Sequence, residues 1–262
     1  MICFAAITPH TPLLIPGVGK ENVTKLESTI SALRHLEGEL YASQPDVIVI
    51  ISSHAIQHKD AFSLNLHDEY RIDFKDFGDL ATSRILEPDI ELVSAVETSM
   101  HDRSVPFTLD SNATLDYGTS VPLYFLTENL PQLKIVPLSF SGLSAKEHVR
   151  FGTELKDVFE RSEKRIAVVA SGDLSHCLSS DAPLGYKPEG EGYDQKIVEA
   201  VTGISTSTLL SMNPELLEGA SACIQEQLLI LFGILERKKV RAEILSYEHP
   251  FGVGYLVAQI HV

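Results

Sequence analysis

Two stretches of this chain, VIVII at residues 47–51 and IAVVA at 166–170, are apolar without interruption and without alternation. A strand can be apolar at every position only if both of its faces are covered, as in a parallel strand with helices packed on either side. The opening ICFAAIT reads the same way. The segments between these runs carry apolar residues at helical spacing: KENVTKLESTISALRHLEGELYAS, PDIELVSAVETSMHDR and SAKEHVRFGTELKDVFERSEKR. Strand, helix, strand in that order reads as a right-handed βαβ crossover. The chain is therefore expected to be an α/β protein with a mixed, mostly parallel sheet.

The remaining segments fill in that frame. AFSLNLHDEYRIDF alternates apolar and polar residues, as one strand with a wet face would. LDYGTSVPLYFLTENL reads as a turn and a helix with Pro122 in its first turn, and KIVPLSFS as a strand. SSDAPLGYKPEGEGY is a Pro/Gly-rich loop, the best candidate for a mobile segment near a site. GYDQKIVEAVTG and PELLEGASACIQEQLLILFGILER read as helices, and VRAEILSYEH with FGVGYLVAQIHV as an antiparallel pair. No repeat and no shift of composition divides the chain, so residues 1–262 are expected to form one domain.

Composition removes several classes of function. A formal charge of -15 argues against binding nucleic acid or anionic lipid, whose affinity comes mainly from clustered Lys and Arg. Small molecules or proteins are the expected partners. The three cysteines, Cys3, Cys177 and Cys223, form no closely spaced pair, which fits a reducing cytoplasm better than a disulfide framework. MICFAAITPH has no basic leader pattern, and no apolar run reaches the roughly 18 residues of a membrane span. The expected location is the cytoplasm.

Each of three buried runs leads to a histidine: ITPHTPLLIP gives His10, VIVIISSHA gives His54 and RIAVVASGDLSH gives His176. In an open α/β sheet the ligand crevice lies beyond the carboxyl ends of the strands, so these imidazoles are placed to converge although they are distant in sequence. Alternatively, each imidazole satisfies a backbone group at its own strand end. The other histidines, among them His58 and His148, lie in helices or polar loops and read as solvated.

Taken together and in order, ITPHTPLLIPGVG, VIVIISSHA, LDYGTSVPLYFL, SGDLSH with the following DAP, and SYEHPFGVGYLVA resemble the class III extradiol ring-cleaving dioxygenases. The similarity is greatest to the branch called AmmeMemoRadiSam system protein B, which includes the Memo proteins. It runs over essentially the whole chain, and SGDLSH is its most specific piece. The resemblance implies a three-layer α/β/α fold and a non-haem Fe(II) site held by His10, His54 and a carboxylate. It also implies that His176 acts as acid and base on a small aromatic diol, with Asp173 orienting His176 or shaping its turn. Two imidazoles and a carboxylate suit such chemistry because they leave room at the metal for diol and O2. A homodimer is implied too, although no exposed apolar stripe marks an interface.

Two positions depart from the family pattern. Tyr117 in LDYG stands where related sequences carry a histidine, and a phenol cannot act as a base near pH 7. In GASACIQEQ, Ala222 stands where a glutamate is expected. The available substitutes as third ligand are Cys223, Glu226 and Glu248, of which Cys223 is the smallest adjustment and the expected ligand; Tyr117 and Glu248 are the candidates for substrate contact. A thiolate would soften the site toward zinc or copper. Two functions remain in view, a metal-dependent dioxygenase-like enzyme and a Memo-like protein that binds a metal or partner without catalysis. A serine hydrolase is disfavoured because no G-x-S-x-G elbow is present.

Overall fold

In the computed structural model, which describes residues 1–262, strand β1 (Ile2–Thr8) leads through 3-10 turns and the one-turn helix α1 (Pro16–Gly19) into helix α2 (Glu27–Ser43). Strand β2 (Val47–Ser52) and strand β3 (Phe62–Asn65) follow, then a hairpin of β4 (Tyr70–Phe74) and β5 (Asp79–Leu86). Next come α3 (Ile90–Asp102), β6 (Phe107–Asp110), α4 (Tyr117–Leu126), β7 (Lys134–Ser139), α5 (Ala145–Arg161) and β8 (Ile166–Ser171). Four helices, α6 (Pro188–Gly203), α7 (Thr206–Leu210), α8 (Pro214–Ala220) and α9 (Gln225–Ile234), precede the closing strands β9 (Arg241–Glu248) and β10 (Tyr255–His261).

Eight strands form one sheet in the order β6-β3-β7-β2-β8-β1-β10-β9, and β7, β2, β8 and β1 at its centre are mutually parallel. Residues of each central strand alternate between two cores. Ala5, Ile7, Val49 and Ile51 face α3, α5, α6 and α9, while Phe4, Ala6, Ile48 and Ile50 face α2, α4 and the β4–β5 hairpin. Both faces are thus covered, which is why these runs are apolar throughout. The architecture is the expected three-layer α/β/α, with a mixed sheet.

Several local expectations are corrected. The crossover from β1 to β2 skips a position, since β8 enters between them. AFSLNLHDEYRIDF is two strands rather than one: β3 joins the main sheet, whereas β4 leaves it to pair with β5. Pro122 is the sixth residue of α4, beyond its first turn. Helix α6 begins at Pro188, so the PEGEGY end of the expected loop is helical. Most consequentially, PELLEGASACIQEQLLILFGILER is broken between α8 and α9, which meet at 119°. Ser221, at φ 51, ends α8 in a left-handed turn that a continuous helix cannot accommodate. No single helix is long and apolar enough to cross a membrane.

Candidate metal centre

The adjacency of β2, β8 and β1 sets their carboxyl ends side by side. His10 lies two residues beyond β1, His54 two residues beyond β2, and the turn carrying Asp173 and His176 leaves β8. The break between α8 and α9 supplies the fourth piece. It points the Cys223 side chain at the strand ends, and the turn is locked by Cys223 N–H donating to Asp173 O at 3.1 Å. The Asp173 N–H in turn lies 3.3 Å from Cys223 Sγ.

His10 Nε2 and His54 Nε2 are 3.1 Å apart, and Cys223 Sγ lies 3.5 Å from His10 Nε2. One ligand atom from each of the three residues falls within 4.8 Å of the others. Metal bonds to imidazole nitrogen and thiolate sulfur are about 2.1 and 2.3 Å, so these separations fit donors sharing one ion. The Tyr117 hydroxyl reaches His54 Nε2 at 2.8 Å, and its ring stacks on His54 with centroids 4.1 Å apart. This contact needs Gly118: a Cβ there would meet Ser52 Oγ at 2.6 Å and His54 Cδ2 at 3.2 Å.

Electrostatics keep the donors neutral. Burial lowers His10 to about 3, against the opposing field of Asp116, and lowers His54 to about 4 with help from His10. Neutral imidazole is the form that binds metals. Burial, reinforced by Asp173, pushes the Cys223 thiol up to about 12, and burial followed by the Cys223 field does the same to Tyr117. Burial also raises Asp173 to about 6, while the His10 N–H bond opposes the shift.

The sequence candidates separate accordingly. His10, His54 and Cys223 come together, with Tyr117 against them. Asp173 does not bond His176; its carboxylate accepts the His10 N–H at 2.9 Å and so fastens β1 to the β8 turn. His176 stands beside the cluster, held by its N–H to Ala220 O at 3.0 Å, and its Nδ1 is buried without a partner. Glu248 is spent elsewhere: its Oε1 accepts from both Thr29 N–H and Thr29 Oγ at the start of α2, at 2.8 and 2.5 Å. Neither Glu248 nor Glu226 joins the group of ligand atoms. Because α9 begins only at Gln225, Glu226 is not a helical turn on from Ala222 as expected.

Other contributors were not anticipated. Asp116 caps α4 through Thr119 N–H and accepts the Ser52 hydroxyl at 2.6 Å, while Ser52 receives the His54 N–H at 3.1 Å. The Asp-x-x-Thr pattern of DYGT is a legible helix start, but its link to β2 is tertiary. Phe77, at the hairpin tip, sets its ring edge-on to Tyr117 with centroids 5.4 Å apart. His148, expected to be solvated, is buried, with its ring nitrogens bonded to Ser141 N–H and Ser144 O. His58 pairs with Asp110 at 3.0 Å.

Residues 4–258 match the family described as the catalytic LigB subunit of aromatic ring-opening dioxygenase. The chain belongs to this family. Protein CA_C1420 of Clostridium acetobutylicum is 32% identical over 97% of this chain and 56% of its own length. A 2,3-dihydroxyphenylpropionate/2,3-dihydroxicinnamic acid 1,2-dioxygenase of Mycobacterium sp. is 23% identical over 64% of this chain and 55% of its own. The chain thus spans about half the length of the curated relatives it matches. In three dimensions, the uncharacterized protein JW3007 from Escherichia coli K12 has a similar fold, with a TM-score of 0.65 at 18% identity over 98% of this chain and 99% of that one.

Proposed function

We propose that this LigB-family chain is a metal-dependent, dioxygenase-like enzyme that holds one ion through His10, His54 and Cys223 and acts on a small aromatic diol or a related substrate. The observation that carries the reading is the meeting of these three donors, from three separate parts of the sequence, within 4.8 Å. Fe(II) is the metal the family chemistry favours; the thiol makes zinc or copper the competing occupants. When bound, the ion would supply a Lewis acid for the diol and, as iron, a centre through which electrons pass from the diol to O2. Everything else falls to the chain.

His176 is half-buried, and its imidazole can accept a hydroxyl proton from a diol and return it later in the reaction. Asp173 holds the β8 turn, and with it His176, against β1 through the His10 N–H. Tyr117 sets its hydroxyl on His54 Nε2, and the row of His54, Tyr117 and Phe77 rings forms an aromatic wall for a planar substrate. The test is elemental analysis of protein purified without added metal, followed by oxygen uptake with Fe(II) and a panel of catechols. Retention of about one ion per chain and metal-dependent catechol binding are expected. Failure to hold any ion would end the reading; ion retention without diol binding would leave a binding role in its place.

A further inference from the structure

Helix α4 contains a proline where a helix gains nothing from one. Pro122 has no N–H, so the carbonyl four residues earlier, that of Gly118, loses its normal helical donor. That carbonyl is taken by a side chain instead: the Ser171 hydroxyl at the end of β8 donates to Gly118 O. Ser171 has one hydroxyl proton, and a carbonyl can only accept. The second neighbour of Ser171 Oγ is His10 Nδ1, at 3.2 Å, which must therefore be the donor in its own contact.

We propose that Pro122, Gly118 O and Ser171 form a positioning relay that fixes His10 in the tautomer with its proton on Nδ1. The proposal deepens the metal reading above and rests on it for its purpose, though not for its geometry. With Nδ1 protonated, neutral His10 carries its lone pair on Nε2, the atom that faces His54 Nε2 and Cys223 Sγ. A histidine ligand is commonly set in this way by the partner of its other nitrogen. Here the partner is a serine whose direction is dictated by a proline three contacts away. His10 is buried, so no solvent molecule is at hand to restore the choice of tautomer.

The experiment uses the full chain, wild type and two variants, Pro122→Ala and Ser171→Ala. Nitrogen-15 NMR of histidine-labelled, metal-free protein reads the His10 tautomer, and competition with a chromophoric chelator reads affinity for Zn(II). Pro122→Ala restores a backbone N–H as helical donor to Gly118 O, which frees the Ser171 hydroxyl to turn toward His10. The wild type should show His10 protonated at Nδ1 alone, and both variants should move a measurable share of the proton to Nε2. Zn(II) affinity should fall about tenfold or more in each, the range seen when the partner of a histidine ligand is lost. The double variant should fall little further, because both changes break one chain of contacts. Pro122 is buried, so Pro122→Ala exchanges a helix-interior proline for a small cavity, and a native-like melting transition in each variant is required alongside the tautomer shift.

Wild-type His10 protonated at Nε2, or an unchanged tautomer and Zn(II) affinity in both variants, would overturn the relay. The expected tautomer shifts in a protein that binds no Zn(II) would sink the metal reading while leaving the relay standing.

Discussion

The two edges of the central sheet handle polar groups in opposite ways. At the amino edge, Asp89 is buried but fully used: it caps α3 through Leu92 N–H at 2.9 Å and takes the Lys164 ammonium at 2.7 Å. Nearby, Asp46 accepts the Arg165 N–H at 2.7 Å, and the Arg165 guanidinium bonds Ser43 O and Gln44 O. At the carboxyl edge, His176 Nδ1 is buried without a partner, and two imidazole nitrogens face each other at 3.1 Å. Buried polar groups left unpaired cost stability, so the first edge contributes to folding and the second is kept at some expense to it. Strained or unsatisfied groups of this kind gather where a ligand will complete them.

The largest effects should divide the two edges cleanly. His10→Ala, His54→Ala and Cys223→Ser are each expected to weaken metal retention by more than about 100-fold, beyond what loss of a supporting contact produces. Glu226→Gln should do far less, and Asp89→Ala nothing. Asp89→Ala should instead lower stability by about 2 kcal/mol, through the lost cap and the stranded Lys164. Metal content by elemental analysis and denaturant unfolding measure the two quantities, and a metal defect in Asp89→Ala would break the contrast.

Next in size is the effect of restoring the family pattern. With Tyr117 and Ala222 in place, the Fe(II)-loaded protein should open simple catechols weakly or not at all. Tyr117→His combined with Ala222→Glu should raise Fe(II) affinity and the absorbance of the yellow ring-opened product. Vigorous cleavage by the unaltered protein would show that a thiol serves as well as a carboxylate.

Protonation offers a sharper test. Because His10 and His54 are already neutral while Cys223 is held near 12, uptake of Zn(II) at pH 7 should release about one proton, and that proton comes from the thiol. Calorimetry in buffers of different ionisation enthalpy should show the release in the wild type and its loss in Cys223→Ser. In metal-free protein, His10 falls from 6.5 to about 3 on folding, so its contribution is present above pH 6.5 and is lost as pH drops toward 3. Asp173, raised from 3.8 to about 6, acts oppositely: its contribution is present below 3.8 and is lost as pH rises through 6. His10→Asn should therefore flatten the acid side of the stability curve, and Asp173→Asn should remove the decline above about pH 4. A curve unchanged by either variant would mean that these groups are not held as the structure holds them.

The smallest expected effect lies at the rim. Phe77→Ala should weaken binding of a chromophoric catechol such as 4-nitrocatechol about fivefold, the scale of one aromatic contact, with metal content unchanged. No change in affinity would remove Phe77 from the substrate wall.

Much of this was readable from the chain itself. Unbroken apolar runs require a sheet covered on both faces, and the positions of His10, His54 and His176 just after such runs put them at one edge, because parallel strands end together. The closing hairpin and the helices over 90–102 and 145–161 follow from period alone. Other features were out of reach of pattern. The hairpin Tyr70–Leu86 leaves the main sheet because pairing, unlike alternation, is chosen by distant partners. The break at Ser221 sits within a sequence that is apolar at helical spacing on both sides, and only packing decides that the chain turns there.

The sequence by itself determined the layers and the sheet edge at which His10, His54 and His176 gather, since these depend on local periodicity and strand direction. Tertiary structure separated the candidates for the third ligand. Sequence favoured Cys223 over Glu248 only as the smaller adjustment, whereas in the fold Glu248 is drawn to the start of α2 by Thr29, and the left-handed turn after α8 delivers Cys223 to 3.5 Å from His10. It also decided what Pro122 does. A missing N–H is visible in the sequence, but the hydroxyl that replaces it comes from a strand about fifty residues further along, and long-range contacts of that kind exist only once the chain has folded.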